Sequence, residues 1–415
     1  TVQSITANRT YARTGDTIVF TITYTDNLAL STINRAIGAN ILVNAPGVTL
    51  GSVTAGNPNP ALPAALATVQ VSVPITGGNG DVSITVKAGS AVDQNSNSGP
   101  AADVTSSAVP VDNTAPTPTL SSSVPQGYTK ISPIPVTLNF DEPVTGLTAP
   151  ASFTATNCTV QNLTGSGASY AFEVVPNQGA FDISVNAGGA KDTAQNNCAP
   201  SNILSWTYDT VAPVATISEG PTPAAMNASG TVSFTVSFTE ANSSSLLIAL
   251  ANGAGASAGY VTLQQTAGSV DLTNAQRAIG GTGLSRTIII SGITGNGKVR
   301  LSIDAGAATD GAGNSSVAAG PSAEFTVDNA LPTATIGSPS VSLTRGGPVS
   351  YTVTYSDPSV EGVSSGIQES TIALASTDVS VSQNGSVSVG SIAISGSGSS
   401  RTITLSSITG SASEV

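Results

Sequence analysis

The chain has 415 residues, of which 12 are Lys or Arg and 24 are Asp or Glu, giving a formal net charge of −12, and it contains no histidine. The absence of histidine excludes Ser-His-Asp catalysis, Cys-His catalysis and imidazole-ligated zinc, and the composition predicts that the chain is not an enzyme. Twelve scattered cations do not form the Lys and Arg clusters that bind nucleic acid. No apolar stretch reaches the roughly 18 to 20 residues of a membrane-spanning helix.

A boundary motif recurs three times, each time as a short apolar strand followed by Asp and, a few residues later, by Pro. Its copies are VPVDNTAP at residues 109–116, WTYDTVAP at 206–213 and FTVDNALP at 325–332. A new apolar strand follows each proline, so the motif marks the end of one unit and the start of the next. We therefore predict four domains, with limits 1–112, 113–209, 210–328 and 329–415.

A second block near the start of each unit alternates apolar residues with polar ones, mostly Thr or Ser. It reads IVFTITY at residues 18–24, PVTLNF at 135–140, VSFTVSF at 232–238 and VSYTVTY at 349–355. Alternation with period two is typical of an antiparallel strand with one buried face. Repeats of about 100 residues with roughly seven short strands each predict an all-β fold, a tandem array of immunoglobulin-like β-sandwich domains.

The fourth domain is predicted to be incomplete. The block SRTI begins at residue 285 in the third domain and at residue 400 in the fourth, but the boundary motif that follows it in the third has no counterpart in the fourth. One explanation is that the chain is a piece of a longer array. The other is a sandwich completed by a donor strand from another subunit. The chain opens with an ordinary first strand rather than an exposed arm, which favours the longer array.

The quoted blocks resemble the bacterial immunoglobulin-like repeats of large exported surface and adhesin-type proteins. Residues 135–146 (PVTLNFDEPVTG) are similar to the subtype with a Glu-Pro-Val-x-Gly turn, and TIIISGITG at 287–295 with DGAGN at 310–314 is similar to a sister subtype. The resemblance implies export and an extracellular location at the bacterial cell surface. It implies as partners the neighbouring repeats of the same chain, like subunits, or a ligand on a host or cell surface.

These observations predict a non-enzymatic structural or interaction protein, namely a stalk or fibre segment of a bacterial cell-surface adhesin. The alternative is a self-assembling surface-layer or extracellular filament subunit that uses the same domains laterally. A carbohydrate-binding module would need an aromatic platform, and aromatic residues make up only 4% of this chain.

Acidic residues recur where the domains join. In a sandwich with strands A to G, the loop after strand B and the loop after strand F lie at the end of the domain that faces the preceding domain. Each boundary Asp should therefore lie close to these two loops. Clusters of carboxylate and amide oxygens are what Ca²⁺ selects, so Ca²⁺ at the junctions is the cofactor that the sequence suggests. Each residue alone is more simply explained as a turn former. The candidate ligands are Asp112, Asp141, Glu142, Asp192 and Asn196 at the first junction, Asp209, Glu240, Asp310 and Asn314 at the second, and Asp328 and Asp357 at the third.

The two cysteines, Cys158 and Cys198, both lie in the second domain. An even pair within one exported domain predicts a disulfide bond. The strand count argues against this disulfide, because it places Cys158 in a C–D turn at the end of the domain opposite the F–G loop that contains Cys198. A disulfide requires Cα atoms within about 7 Å of each other, so the pairing depends on whether that loop folds back.

Overall fold

A computed structural model of the chain describes residues 1–241, 246–360, 362–383 and 385–410. The chain divides into two compact units, Thr1–Asp209 and Thr210–Val415. Strands make up nearly all of the regular structure, which confirms the predicted all-β class. The helical elements of the described ranges are two short 3-10 turns, Glu369–Thr371 and Ser376–Asp378. In these ranges no helix is long and apolar enough to span a membrane.

The first compact unit begins with a two-sheet structure, the first sandwich. One sheet has the strand order β4-β6-β2-β8-β9, with β1 beside β2 and β5 beside β6, and the other has β10-β7-β11, with β3 beside β7. Alternate residues of the long second strand point between the sheets, where Phe20 and Ile22 are fully buried. The strands are β1 (Val2–Ala7), β2 (Thr17–Ile33), β3 (Ile41–Asn44), β4 (Val48–Leu50), β5 (Thr54–Ala55), β6 (Ala64–Gly78), β7 (Gly80–Val86), β8 (Ala91–Asp93), β9 (Ser98–Gly99), β10 (Val104–Thr105) and β11 (Val109–Val111).

The second sandwich follows in the same unit, with sheets β12-β14-β16 and β13-β18-β17-β15. Its core contains the chain's single tryptophan, Trp206, whose ring stacks on Phe181 with 5.4 Å between centroids. The buried indole N–H donates to the carbonyl of Pro125 at 3.0 Å, so its polar group is satisfied. The strands are β12 (Pro118–Ser122), β13 (Gly127–Thr129), β14 (Ile134–Val144), β15 (Phe153–Thr156), β16 (Cys158–Pro176), β17 (Gly179–Val185) and β18 (Leu204–Tyr208).

The second compact unit begins with the third sandwich. Its sheets are β19-β21-β27-β26-β23 and β20-β30-β28-β25-β24, with a two-stranded ladder of β22 and β29. The strands are β19 (Val214–Thr222), β20 (Ala225–Met226), β21 (Thr231–Thr239), β22 (Leu247–Ile248), β23 (Gly253–Ala254), β24 (Ser257–Ala258), β25 (Val261–Asp271), β26 (Gln276–Gly280), β27 (Ser285–Ser291), β28 (Thr294–Ile303), β29 (Ala308–Thr309) and β30 (Phe325–Val327).

The remaining described strands form a single sheet, called the fourth sheet, with the order β31-β32-β34-β33. Its strands are β31 (Thr333–Ile336), β32 (Val349–Ser356), β33 (Ser388–Ser395) and β34 (Ser400–Thr409). Each sandwich and the fourth sheet has its own cluster of buried apolar residues. These clusters match the predicted tandem arrangement, whereas the limits of the four predicted domains stay a prediction.

The end of each sandwich is fixed by a parallel strand pair that a simple up-and-down arrangement would not contain. The segment after the first strand crosses to the other sheet and runs parallel to the last strand, as at Ala12 beside Val111, β13 beside β18 and β20 beside β30. This pair holds the boundary aspartate through its backbone. At 2.9 Å in every case, Asp112 N–H donates to the carbonyl of Ala12, Asp209 N–H to that of Thr129 and Asp328 N–H to that of Met226.

Candidate functional site

The first junction brings three of the predicted acidic residues together. Asp112 follows the last strand of the first sandwich, Glu142 lies on β14 and Asp192 lies in the loop between β17 and β18 of the second sandwich. One carboxylate oxygen from each of the three lies within 4.8 Å of the others. Asp192 is only 1% exposed, and the other two side chains are half-buried.

Asp192 is held in place by its own loop. Both of its carboxylate oxygens accept hydrogen bonds from Asn196, one from the backbone N–H at 2.8 Å and the other from the side-chain amide at 2.7 Å. The Asp192 N–H donates in turn to the Asn196 carbonyl at 3.2 Å. Since a carboxylate oxygen accepts more than one bond, these contacts position Asp192 and leave acceptor capacity on its oxygens.

Direct hydrogen bonds join the two sandwiches around this cluster. The Asn196 side-chain amide donates to the Asp112 carbonyl at 2.9 Å, and the Arg13 guanidinium donates to the Gln195 carbonyl. The linker, residues 112–117 between β11 and β12, is also tied to the second sandwich, because Ala199 N–H donates to the Pro116 carbonyl at 2.9 Å. Together with the bond from Asp112 N–H to the Ala12 carbonyl, these hydrogen bonds hold the linker to both sandwiches.

Asp141, also predicted as a ligand, lies outside this three-carboxylate group, and its metal binding stays a prediction. Its carboxylate accepts a hydrogen bond from Thr117 N–H at 2.7 Å, which fixes the start of the second sandwich. Successive side chains of a strand point to opposite faces, and along β14 Asp141 is exposed whereas Glu142 is half-buried. Glu142, and not Asp141, therefore points toward Asp112 and Asp192.

The cluster concentrates negative charge around Glu142. Burial raises the pKa of the Glu142 carboxyl above its ordinary value, and the charges of Asp112, Asp192 and Asp141 raise it further. A cation bound among these carboxylates would lower the pKa of Glu142 and so oppose the effects of burial and of the neighbouring charges. The arrangement is electrostatically suited to bind a positive ion.

The donor set also fits the size and chemistry of Ca²⁺. Ca²⁺ binds oxygen ligands at about 2.3–2.6 Å, so two ligands of one ion lie no more than about 4.6–5.2 Å apart. The three carboxylate oxygens, which all lie within 4.8 Å of one another, meet that requirement. With one oxygen from each of the three carboxylates, about three to five of the six to eight positions would be left for backbone carbonyls or water.

The Asp–Asn loop of the first junction occurs in all three sandwiches. In the loops starting at Asp93, Asp192 and Asp310, the carboxylate accepts from the backbone and side-chain amides of the Asn four residues later, at 2.7–2.9 Å. Those Asn residues are Asn97, Asn196 and Asn314. The loop is therefore a structural element in its own right. Within the described ranges, a group of three potential metal-ligating side chains forms only at Asp112, Glu142 and Asp192.

The second predicted cluster is divided between the two compact units. Asp209 lies in the first unit, where its carboxylate accepts from the Gln178 amide at 2.8 Å. Glu240, Asp310 and Asn314 lie in the second unit. Glu240 follows β21 and accepts from Ala241 N–H at 2.5 Å, and Asp310 forms the loop with Asn314 described above. Metal binding by these residues stays a prediction.

The third junction brings Asp328 and Asp357 into one hydrogen-bonded group. Ser365 N–H donates to Asp328 at 2.6 Å, and Gly366 N–H donates to Asp357 at 2.9 Å. Burial alone would raise the pKa of Asp328, but hydrogen bonds with Ser365, Ala330 and the Asp357 side chain hold it below its ordinary value. Backbone amides thus satisfy both carboxylates.

Sequence reasoning missed the residue that follows the boundary Asp in two of the motifs. Asn113 N–H donates to the Asn79 side chain at 2.8 Å, the Asn113 amide donates to the Gly78 carbonyl at 2.5 Å, and its oxygen accepts from Thr14 N–H at 2.7 Å. We call this arrangement the Asn clamp. The third sandwich repeats it with Asn329, Asn296, Gly295 and Ala228, at 2.5–2.7 Å. The available signal was the shared Asp-Asn dipeptide together with Gly-Asn-Gly at residues 78–80 and 295–297.

The disulfide predicted between Cys158 and Cys198 is absent, and both residues are buried free thiols. Cys158 Sγ donates to the Asp182 carbonyl at 3.4 Å, whereas Cys198 Sγ donates to the Asn186 carbonyl at 3.6 Å. Asp182 lies within β17 and Asn186 follows its end. Four residues of extended strand span about 13 Å, so the two thiols bond to separate points of the chain rather than to each other. The prediction is corrected accordingly.

The fold defines the class of this protein as a tandem array of immunoglobulin-like sandwiches. Residues 112–207, a range that covers nearly all of the second sandwich, match the family of bacterial Ig-like domains, and this match confirms the predicted resemblance for that part of the chain. No curated protein matches the chain.

Among solved structures, the chain is similar to the N-terminal eight Ig domains of Down syndrome cell adhesion molecule, isoform 1.30.30. The similarity has 9% sequence identity and a TM-score of 0.20, and it covers 97% of this chain and 50% of the other. The chain thus spans about half the length of that eight-domain chain.

Proposed function

We propose that this chain is a non-enzymatic structural segment, a stalk or fibre section of an adhesin-type protein displayed at the bacterial cell surface. The observation that carries the proposal is the first junction, where hydrogen bonds tie the linker to the sandwiches on both sides. Asp112 N–H donates to the Ala12 carbonyl of the first sandwich, and Ala199 N–H of the second sandwich donates to the Pro116 carbonyl. A stalk must transmit force and keep its length. A linker that is hydrogen-bonded to the sandwiches on both sides limits bending at the junction.

The match of residues 112–207 to bacterial Ig-like domains supports this proposal. The composition agrees with it, because a chain without histidine and with 9% charged residues has few of the groups that enzymes use for acid–base catalysis. Display outside the cell and contact with neighbouring repeats, like subunits or a surface ligand are parts of the same proposal.

Force spectroscopy on the full chain tests the mechanical role. We expect a monomer in light scattering and successive unfolding events, each releasing about 100 residues, or roughly 340 Å of extended chain. Soluble filaments or sheets in electron micrographs would instead favour the self-assembling alternative. Unfolding at negligible force would contradict a load-bearing stalk.

We also propose that Asp112, Glu142 and Asp192 bind Ca²⁺ and stiffen the first junction. Trp206 lies in the second sandwich and is the only tryptophan of the chain, so its fluorescence follows the unfolding of that sandwich. Bound Ca²⁺ should shift the Trp206 transition to higher denaturant concentration, and a chelator should reverse the shift. If calcium and chelator give the same Trp206 transition, the metal site is wrong, while the stalk proposal remains open to the force measurement.

A further inference from the structure

The third sandwich contains an arginine that is buried in its interior. Arg277 lies on β26 and is 2% exposed. It stands opposite Ile290 of β27, which is fully buried. Residues directly opposite each other on antiparallel strands project to the same face of a sheet. Arg277 therefore points between the two sheets, as Ile290 does, and a cation occupies a core-facing position.

The guanidinium of Arg277 is held by the segment that crosses from one sheet to the other and carries β23 and β24. Its Nη2 donates to the Gly255 carbonyl at 2.6 Å. Gly255 N–H donates in turn to the Ala275 carbonyl at 2.9 Å. On the other side of Arg277, Ile279 N–H donates to the Asn252 side chain at 2.8 Å. The crossing segment is thus tied to β26 around Arg277, which gives the guanidinium a defined position.

Most of the hydrogen-bonding capacity of this guanidinium is unused. Its Nε and Nη1 atoms are buried and have no hydrogen-bond partner among the described residues. A guanidinium does not lose its proton in a protein, so Arg277 stays positively charged. A buried charge without hydrogen bonds or a counterion is strongly destabilising. The free N–H groups of Arg277 therefore define a place where an anion would bind favourably.

Asp304 does not supply the missing partner. Burial lowers the pKa of Arg277, and the charge of Asp304 only opposes this effect. Both carboxylate oxygens of Asp304 accept from the Thr262 hydroxyl, at 2.9 and 3.1 Å. The ion pairs formed within the described ranges do not include Arg277. Asp304 thus acts on Arg277 through its charge and leaves the Nε and Nη1 donors available.

The fold itself does not require a cation at this position. In the fourth sheet, β33 pairs with β34 as β26 pairs with β27, and Ile392 lies opposite Leu405 as Arg277 lies opposite Ile290. Ile290 and Leu405 are each the sixth residue of the block that begins with SRTI. Ile392 is therefore the counterpart of Arg277, and it packs against the apolar cluster of the fourth sheet. Because an aliphatic residue serves here, packing alone does not explain the arginine.

We propose that Arg277 forms a binding site for a small monovalent anion of the halide class, with chloride as the probe. The anion accepts hydrogen bonds from the free guanidinium donors and neutralises their charge. Water would satisfy the donors but would leave the charge uncompensated. A carboxylate or phosphate on a larger molecule would need an opening that a 2% exposed side chain does not offer. The site makes the stability of the third sandwich depend on the anions around the chain.

Amide exchange of the full chain tests this site in mixtures of sodium chloride and sodium gluconate at constant ionic strength. Gluconate is too bulky for the site, so the mixtures differ only in the anion that can enter. Once chloride exceeds its dissociation constant, exchange at residues 276–280 through unfolding should slow about tenfold for each tenfold rise in chloride. The Trp206 unfolding transition, which reports the second sandwich, should stay the same. Equal exchange at 276–280 in all mixtures, or an equal response of both sandwiches, would overturn the proposal.

Matched variants locate the effect at Arg277. Arg277→Ile copies the residue of the fourth sheet and should abolish the chloride dependence. Arg277→Lys, a second variant in case the first does not fold, keeps the charge but lacks the Nε and Nη1 donors, so about tenfold more chloride should be needed. Arg300→Met is the control, because Arg300 lies on β28 of the same sandwich with a side chain that is 42% exposed. Chloride dependence that persisted unchanged in both Arg277 variants, or vanished in Arg300→Met, would contradict the site.

Discussion

The side-chain amide of Asn196 lies 2.9 Å from the backbone carbonyl of Asp112, so one hydrogen bond joins a loop of the second sandwich to the residue that ends the first. The same amide nitrogen donates to the Asp192 carboxylate at 2.7 Å. Asn196 is therefore fixed within its own loop and presents a second N–H to the preceding sandwich. The Asp–Asn loop of the second sandwich is therefore part of the first junction.

Replacement of Asn196 should weaken both its Asp–Asn loop and the first junction. Asn196→Ala removes a side-chain hydrogen bond to a buried carboxylate and one to a carbonyl, so we expect the second sandwich to lose about 1.5–3 kcal/mol of unfolding free energy. Urea unfolding followed by Trp206 fluorescence measures this loss. Amide exchange at Thr114 should also accelerate, because its N–H donates to the Asp112 carboxylate within the same linker.

Asn97→Ala is the matched control for this change. Asn97 closes the equivalent loop of the first sandwich with the same two bonds to Asp93. Its removal should destabilise the first sandwich and leave the Trp206 transition unchanged. Similar shifts of that transition in both variants would show that the Asn196 effect does not arise at the second sandwich and its junction.

The Asn clamp predicts a graded response in the third sandwich. Asn329→Ala removes the bond from Ala228 N–H and the bond to the Gly295 carbonyl, whereas Asn329→Asp keeps the acceptor for Ala228 N–H and replaces the donor with an oxygen that the Gly295 carbonyl repels. At about 0.5–1.5 kcal/mol for each bond, Ala should cost about 1–3 kcal/mol in unfolding free energy. Amide exchange of Ala228 tests the order, with Asn329→Ala faster than Asn329→Asp and both faster than the unsubstituted chain.

The buried thiols should be unreactive in the folded chain. Burial, with a smaller contribution from the Asp182 charge, raises the pKa of Cys158 to about 11. At pH 8 only about one thiol in a thousand would then be the reactive thiolate. We expect iodoacetamide to modify neither cysteine in native buffer and both in urea, as counted by mass spectrometry. Unlabelled cysteines in urea, with labelling restored by a reductant, would instead indicate the disulfide.

The fold was predictable because its signals are local. Period-two alternation placed the block at residues 18–24 within β2 and the block at 232–238 within β21. The predicted position of the loops after strands B and F also placed Asp112, Glu142 and Asp192 at one junction, because that position depends only on the order of the strands. Strand order and alternation are therefore enough to place side chains at an end of a sandwich.

The contacts that the sequence did not reveal depend on geometry between distant residues. Asn113 binds Asn79, which is 34 positions away, and asparagine is common in turns for reasons unrelated to such a clamp. Asp141 and Glu142 are adjacent in sequence and equal in charge, yet the pleat of β14 directs only Glu142 into the cluster. The alternation of residues 135–140, extended by two positions, is the sequence signal that separates them.

Glu142 provides the sharpest test of the calcium site, because its replacement should have opposite consequences with and without the ion. In chelator, Glu142→Gln removes a half-buried charge that Asp112 and Asp192 repel, so the Trp206 transition should move to higher urea concentration. In calcium, the variant lacks one carboxylate ligand, so the stabilisation that the ion gives to the unsubstituted chain should shrink. Asp141→Asn is the control, since Asn keeps an oxygen to accept from Thr117 N–H and Asp141 lies outside the three-carboxylate group. If Glu142→Gln left the calcium-dependent shift at its full size, Glu142 would not be a ligand.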